Sequence, residues 1–217
     1  MPVATVLRDA ELTVADLSNM FGPMPDHRIV REPAPGTATE RDVLAIHVRD
    51  KRLCELVDGI LVEKPMGYEE SLIAVEIIRF LANFVAEHKL GYVTGEGGMV
   101  KLAKGLVRIP DVAFVSINRL PGGKPPRRPI PNLAPNLAVE VLSQSNTARE
   151  MKRKLDDYFG AGVELVWLVD PRTRTAEVFT APRARTRLKV GQTLTGGAVV
   201  PGFKLKLRDL FAVLDGR

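Results

Sequence analysis

The chain has a single cysteine, Cys54, and three histidines, His27, His47 and His88. One cysteine excludes an intrachain disulfide and any thiolate zinc cluster built within one chain. The histidines fall at no metal-ligand spacing. No apolar run approaches the ~18 residues a membrane span needs. Met1 to Ala10 carries no basic segment followed by an apolar core of signal-peptide length, so export is not expected and the cytoplasm is the expected compartment. The glycine string Gly95-Glu-Gly-Gly98 lacks the Lys-Ser/Thr of a phosphate-binding P-loop. Ser143 has no nucleophile-elbow context, and no internal repeat is present.

What remains is an ordinary globular composition. The length of 217 residues suits one α/β domain with decorations and is short for two. A net charge of +5 is a moderate bias toward polyanions, since Lys and Arg gain affinity for phosphates by releasing counterions. Lys124, Arg127 and Arg128 form a basic cluster in a Pro/Gly loop, which reads either as a solvated linker or as a phosphate-contacting loop.

Residues 1–50 read as an irregular N-terminal extension or arm, with a short helix near Thr13 to Met20 and then Pro23, Pro25, Pro33 and Pro35 as breakers. Residues 51–217 read as the main domain. Leu53 to Val62 predicts two short strands about the turn Asp58-Gly59. Glu69 to His88 predicts a helix, with Ile73, Ile77, Phe80, Leu81 and Phe84 at helical spacing. Gly91 to Val100 and Val107 to Ser116 read as strands, followed by a strand around Glu140. A helix over Thr147 to Phe159 opens on the capping-box spacing of Thr147 and Glu150. Val163 to Val169 is a nearly all-apolar run that suits a buried strand, with Trp167 in the core. Short β pieces and a last turn of helix complete a mixed sheet flanked by helices.

Two acids interrupt the apolar strands. Asp111 lies in Arg108-Ile-Pro-Asp-Val-Ala-Phe-Val-Ser116 and Glu140 in Leu137-Ala-Val-Glu-Val-Leu-Ser143. A lone strand carboxylate usually faces solvent or pairs with a cation, because burying it ionised costs several kcal/mol otherwise. Two on neighbouring β segments suggest a shared metal ion. Glu70 falls within the apolar arc of the first long helix while Glu76 lies off its edge, so Glu70 is either a third member pointing toward the sheet or a dipole-stabilised acid at a helix start.

Taken in order, Glu55-Leu-Val-Asp-Gly59, Pro110-Asp-Val-Ala-Phe-Val-Ser116, Leu137-Ala-Val-Glu-Val-Leu-Ser143, Lys154-Leu-Asp-Asp-Tyr158, Gly162-Val-Glu-Leu-Val-Trp-Leu-Val-Asp-Pro171 and Pro201-Gly-Phe203 resemble the Uma-two family, a restriction-endonuclease branch of the PD-(D/E)XK nuclease superfamily. The resemblance implies an α/β restriction-endonuclease-like core, with Asp111 and Glu140 as metal-binding acids. The superfamily usually places lysine two residues after the second acid. Leu142 stands there, and the resemblance makes Lys154, on the following helix, the matching lysine, with Lys152 and Gln144 weaker substitutes. Helical angle alone does not choose between Lys152 and Lys154. Many relatives carry histidine where Glu70 stands.

The expectation is a Mg²⁺-dependent endonuclease, Mn²⁺ being an acceptable substitute, acting on nucleic acid and on DNA in particular. Its catalytic set is Glu70, Asp111, Glu140 and Lys154, its metal ligands are Asp111 and Glu140, and it works as a homodimer away from membranes. The rival expectation is a non-catalytic nucleic-acid- or protein-binding module that keeps the nuclease fold. An acid pair neutralised by a nearby Arg or Lys would favour the rival.

Overall fold

Thr13 and Asp16 start the first helix. The Thr13 hydroxyl accepts from the Asp16 amide (3.2 Å) and the Asp16 carboxylate accepts from the Thr13 amide (2.9 Å), a reciprocal cap for amides with no partner inside the helix. Helix α1 (Val14–Phe21) then buries Leu17 and Phe21. The computed structural model describes residues 12–65 and 67–216. Met1 to Ala10, where the sequence shows no export signal, lies outside the described residues. No helix among the described residues is long and apolar enough to cross a membrane.

Beyond the proline cluster the chain forms a second helix, α2 (Glu40–Asp50), where the sequence predicts irregular structure. Its signal is Thr39-x-x-Asp42, another reciprocal cap. Val43 and Ile46 carry it into a core shared with Leu56, Leu61 and Val107. Strands β1 (Cys54–Val57) and β2 (Ile60–Glu63) make the expected hairpin. Asp58 and Gly59 have φ of 51° and 78°, as a two-residue turn of this hand demands. Gly59 is needed for space as well, since a Cβ there would lie 2.4 Å from the Gly36 carbonyl oxygen. The Gly36 and Ala38 amides donate to the Gly59 carbonyl at 2.8 and 2.9 Å, stitching the N-terminal segment to the hairpin tip.

Helix α3 (Tyr68–Glu87) follows the predicted stripe, burying Ile73, Ile77, Leu81 and Val85. Of the two strands expected next, the first ends early as β3 (Gly91–Thr94), and β4 (Val100–Ala103) starts at its last residue. The second is broken internally, giving β5 (Leu106–Arg108) and β6 (Val112–Ser116). This break falls at Ile109-Pro110-Asp111, where proline has no amide to offer a ladder. Next come β7 (Leu137–Val141), α4 (Ala148–Gly160) behind the predicted Thr147/Glu150 cap, β8 (Leu165–Asp170), β9 (Thr175–Ala181), β10 (Ala184–Lys189), β11 (Thr193–Thr195), β12 (Lys204–Lys206) and α5 (Leu207–Phe211).

The strands form an antiparallel sheet of order β2-β1-β5-β4, a mixed sheet of order β10-β9-β8-β7-β6-β3, and a two-stranded ribbon β11-β12. Within the mixed sheet β7 and β8 are parallel, joined through α4. Helix α3 packs on one face against Val112, Phe114, Val139 and Trp167. Helix α4 packs on the other through Met151, Leu155 and Tyr158 against Ala138, Val166 and Leu168. Alternation along β7 places Glu140 on the α4 face with Ala138.

Arg28 ties the N-terminal segment to this frame. Its guanidinium donates to both Glu150 oxygens (2.7 and 3.1 Å) and to the Glu63 and Ser145 carbonyls (3.0 Å each), and both side chains are almost fully buried. Arg28→Ala would leave Glu150 ionised, buried and without this partner. A loss of about 3–5 kcal/mol is expected in denaturant unfolding, and a loss under about 1 kcal/mol would show that water replaces the guanidinium.

Candidate active site

The chain crosses from the first sheet to the second at Pro110, and that crossing places Asp111 against the far end of β7. The Asp111 amide donates to the Val139 carbonyl at 3.0 Å, and its Oδ2 accepts from the Val141 amide at 2.6 Å. Lys64, one residue past β2, brings its Nζ to 2.9 Å from Asp111 Oδ1 and 3.9 Å from Glu140 Oε2. It also donates to the Ile109 carbonyl. Two carboxylate oxygens grouped about one ammonium are well inside the ~8 Å beyond which no ion could bind both at ligand distances near 2.1 Å.

Helix α4 closes the site from above. Lys154 Nζ lies 2.9 Å from Glu140 Oε2 and 3.1 Å from Glu55 Oε1. One turn on, the Tyr158 hydroxyl donates to Glu140 Oε1, as the i, i+4 spacing allows. Glu55, from β1, accepts from the Ile109 amide at 3.0 Å and from Arg108 at 2.7 Å, and Arg108 also donates to Asp157. The centre thus holds three buried acids, Glu55, Asp111 and Glu140, with three buried cations, Lys64, Arg108 and Lys154.

The acids are not equivalent. Burial pushes Glu55 up, but Lys154, Arg108 and Lys64 more than reverse this and hold it at about 2. Glu140 stays above the ordinary carboxylate range. Burial is the largest cause and outweighs the pull of Lys154 and Lys64, with the charges of Asp111 and Glu55 adding to it. Burial also drives the Tyr158 phenol well up, with Glu140 adding to it. Lys154 is held above its usual value despite burial, by Glu140 and Glu55.

The structure therefore gathers Asp111, Glu140 and Lys154. Glu70 forms no hydrogen bond or ion pair with these three among the described residues. It is half-buried in the first turn of α3, its carboxylate lying over Gly67 so closely that a Cβ on Gly67 would meet Oε2 at 2.1 Å. Contrary to the helical-angle expectation, Glu76 is the buried acid of α3, and it pairs with Arg79 at 2.7 Å. Lys152 is exposed, on the far side of α4 from Glu140.

Sequence reasoning missed Lys64, Glu55, Arg108 and Tyr158. Glu55 and Arg108 carried the signal that revealed Asp111, a charge inside an apolar strand. Lys64, in Glu63-Lys-Pro at a strand end, carried none.

Among the described residues no group of three or more His, Cys, Asp and Glu is placed to hold a metal ion. Asp111 and Glu140 alone nevertheless fit a hard divalent cation, because Mg²⁺ commonly takes one or two carboxylates and fills the rest of its shell with water and substrate oxygens. Glu140, burdened by its acidic neighbours, is a carboxylate that a second positive charge would relieve.

A family model described as "Uma2: Putative restriction endonuclease" matches residues 41–208. A crystal structure described as "a putative nuclease belonging to DUF820", from Anabaena variabilis ATCC 29413, aligns with a TM-score of 0.68 at 20% identity, covering 76% of this chain and 92% of that one. At that identity the likeness is one of fold. No curated protein matches the sequence. The family match spans well over half of the chain, which therefore belongs to the Uma2 (Uma-two) family and carries a nuclease-like mixed α/β fold.

Proposed function

We propose that the chain is a metal-dependent endonuclease hydrolysing phosphodiester bonds in nucleic acid, with DNA as its substrate. The observation that carries this is the meeting of Asp111 and Glu140 around one ammonium, with Lys154 hydrogen-bonded to Glu140. Asp111 and Glu140 would hold Mg²⁺ or Mn²⁺, which when bound polarises the phosphoryl group and lowers the pKa of an attacking water. The Val141 amide fixes the Asp111 carboxylate, and the Tyr158 hydroxyl fixes that of Glu140. Lys154 orients the water and donates to the negative charge that develops on the phosphoryl oxygens. Lys64 neutralises Asp111 in the resting site, and the Ile109 carbonyl remains as its acceptor when the carboxylate is otherwise engaged. Glu70 remains the fourth member of the proposed catalytic set, its half-buried carboxylate lying at the start of α3.

The Lys64–Asp111 pair favours a second reading, in which a self-neutralised acid cluster belongs to a binding module that has kept the fold. A cleavage assay on mixed DNA and RNA substrates, with Mg²⁺ or Mn²⁺ and beside Glu140→Ala, separates the two. Cleavage by the wild type alone supports the enzyme, and no cleavage on any substrate moves the function to the binding module.

Nucleases that cut both strands of a duplex commonly use two active sites, so a two-fold dimer is proposed as the working form. Light scattering at micromolar concentration should give about twice the 23.8 kDa chain mass, and a purely monomeric species would overturn the dimer.

A further inference from the structure

The flank of α4 turned away from the acid cluster is open. Between α4 and the β9–β10 edge lies a groove of about 370 Å³, floored by Leu142, Met151, Leu155, Leu168 and Phe179, within the size range of sites that seat a small planar group. Lys152, Arg172 and Arg185 stand on its rim. Arg187 and Lys189 continue the alternation of Arg185 along β10 and so project from the same face of the edge strand. Opposing them are Glu177, 3.3 Å from Arg185, and Asp170, 3.4 Å from Arg172. Over the rim and the β10 edge together, five cations against two acids leave three net positive charges.

The groove belongs to the same sheet face as Glu140. Glu140 pairs with Leu168, Leu168 with Glu177, and Glu177 with Arg187, in one row across four strands. At ~4.8 Å per strand, the row places Arg187 about 14 Å from Glu140. Leu142, where the superfamily usually has its lysine, forms the near wall of the groove. Cations on an edge strand also discourage sheet-to-sheet pairing, but that role needs no apolar floor beside them.

We propose that this groove binds a single-stranded segment of nucleic acid, its phosphates along Arg185, Arg187 and Lys189 and one unstacked base over the apolar floor. The proposal rests on the nucleic-acid reading above and names the surface that serves it. Cations on alternate strand residues recur every ~6.7 Å, a step comparable with that between phosphates of an extended single strand. An apolar floor rewards an unstacked base, which a duplex hides.

The test is fluorescence anisotropy with a labelled single-stranded oligonucleotide in EDTA, where binding is read without turnover. The triple variant Arg185→Glu, Arg187→Glu, Lys189→Glu should bind at least roughly tenfold more weakly near 0.1 M salt. Its log–log salt slope should be shallower by about 2, as expected when three phosphate-binding cations are removed at ~0.7 each. Circular dichroism checks that it is folded, and Leu168→Glu, which buries a charge in the floor, gives an independent variant. Lys124→Glu, Arg127→Glu, Arg128→Glu is the control surface. The proposal is overturned if the β10 variant binds as the wild type does, if the loop variant alone loses binding, or if the wild type binds only duplex. Wild-type binding through β10 without cleavage under any metal would instead remove the nuclease reading and leave this surface standing.

Discussion

Glu140→Gln should lower metal-dependent cleavage by about 10³-fold. The amide keeps the size of the side chain and an oxygen for the Tyr158 hydroxyl, but it loses the charge that would hold a divalent cation. Several kcal/mol of charge stabilisation converts to roughly that factor. Stability is the second readout, and there the expected change is small. Glu140 has its pKa raised in the folded state by burial and by its acidic neighbours. Its ionisation therefore costs folding free energy as pH rises above the ordinary value of 4.5. A neutral amide carries no such cost, which offsets the lost Lys154 hydrogen bond, since the amide NH2 stands where Oε2 accepted it. A melting temperature near that of the wild type at pH 7, with activity gone, marks Glu140 as a functional acid held at the expense of stability. A strongly destabilised Glu140→Gln would make it a structural counterion of Lys154 and Lys64, as the binding-module reading requires.

The parts of this site that could be read in the sequence are those whose signal is local. Asp111 and Glu140 stand out because each breaks an apolar strand, and α4 announces itself through the Thr147/Glu150 cap and the Met151, Leu155, Tyr158 stripe. The Asp58-Gly59 hairpin is equally local. Which sheet each strand joins is not. The run from Val107 to Ser116 reads as one strand, and only the loss of an amide at Pro110 marks where it leaves one sheet for the other. That crossing carries Asp111 to Glu140, and it turns Glu55, Arg108 and Lys64 of the first sheet toward the same point. A cluster assembled across two sheets has no sequence spacing, so Glu55, Arg108 and Lys64 carry no mark in the sequence that joins them to Asp111 and Glu140. The choice between Lys152 and Lys154 is likewise open on helical angle alone. It depends on which side of α4 faces β7, a tertiary fact.

Lys154→Met should reduce cleavage about 10²- to 10³-fold, the usual cost of losing one donor to developing charge. Thermal stabilisation by added Mg²⁺ should persist, because Asp111 and Glu140 remain. The variant should also have a narrower pH range of stability. Lys154 has its pKa raised above the ordinary 10.5, so its contribution is fully present below pH 10.5 and is lost as pH rises through the folded value. Glu55, held at about 2 against an ordinary 4.5, contributes stability above pH 4.5 that is lost as pH falls toward 2. Lys154 is the largest charge holding Glu55 down. Removing it therefore erodes the acid limb as well as the alkaline one, and at neutral pH it leaves Glu55 and Glu140 short of a countercharge, at a cost of about 3–5 kcal/mol. Unfolding followed from pH 3 to 11 reads both limbs. A variant as stable as the wild type throughout would mean that Lys64 and Arg108 suffice for the two acids, and unchanged cleavage would deny Lys154 its place at the reacting phosphate.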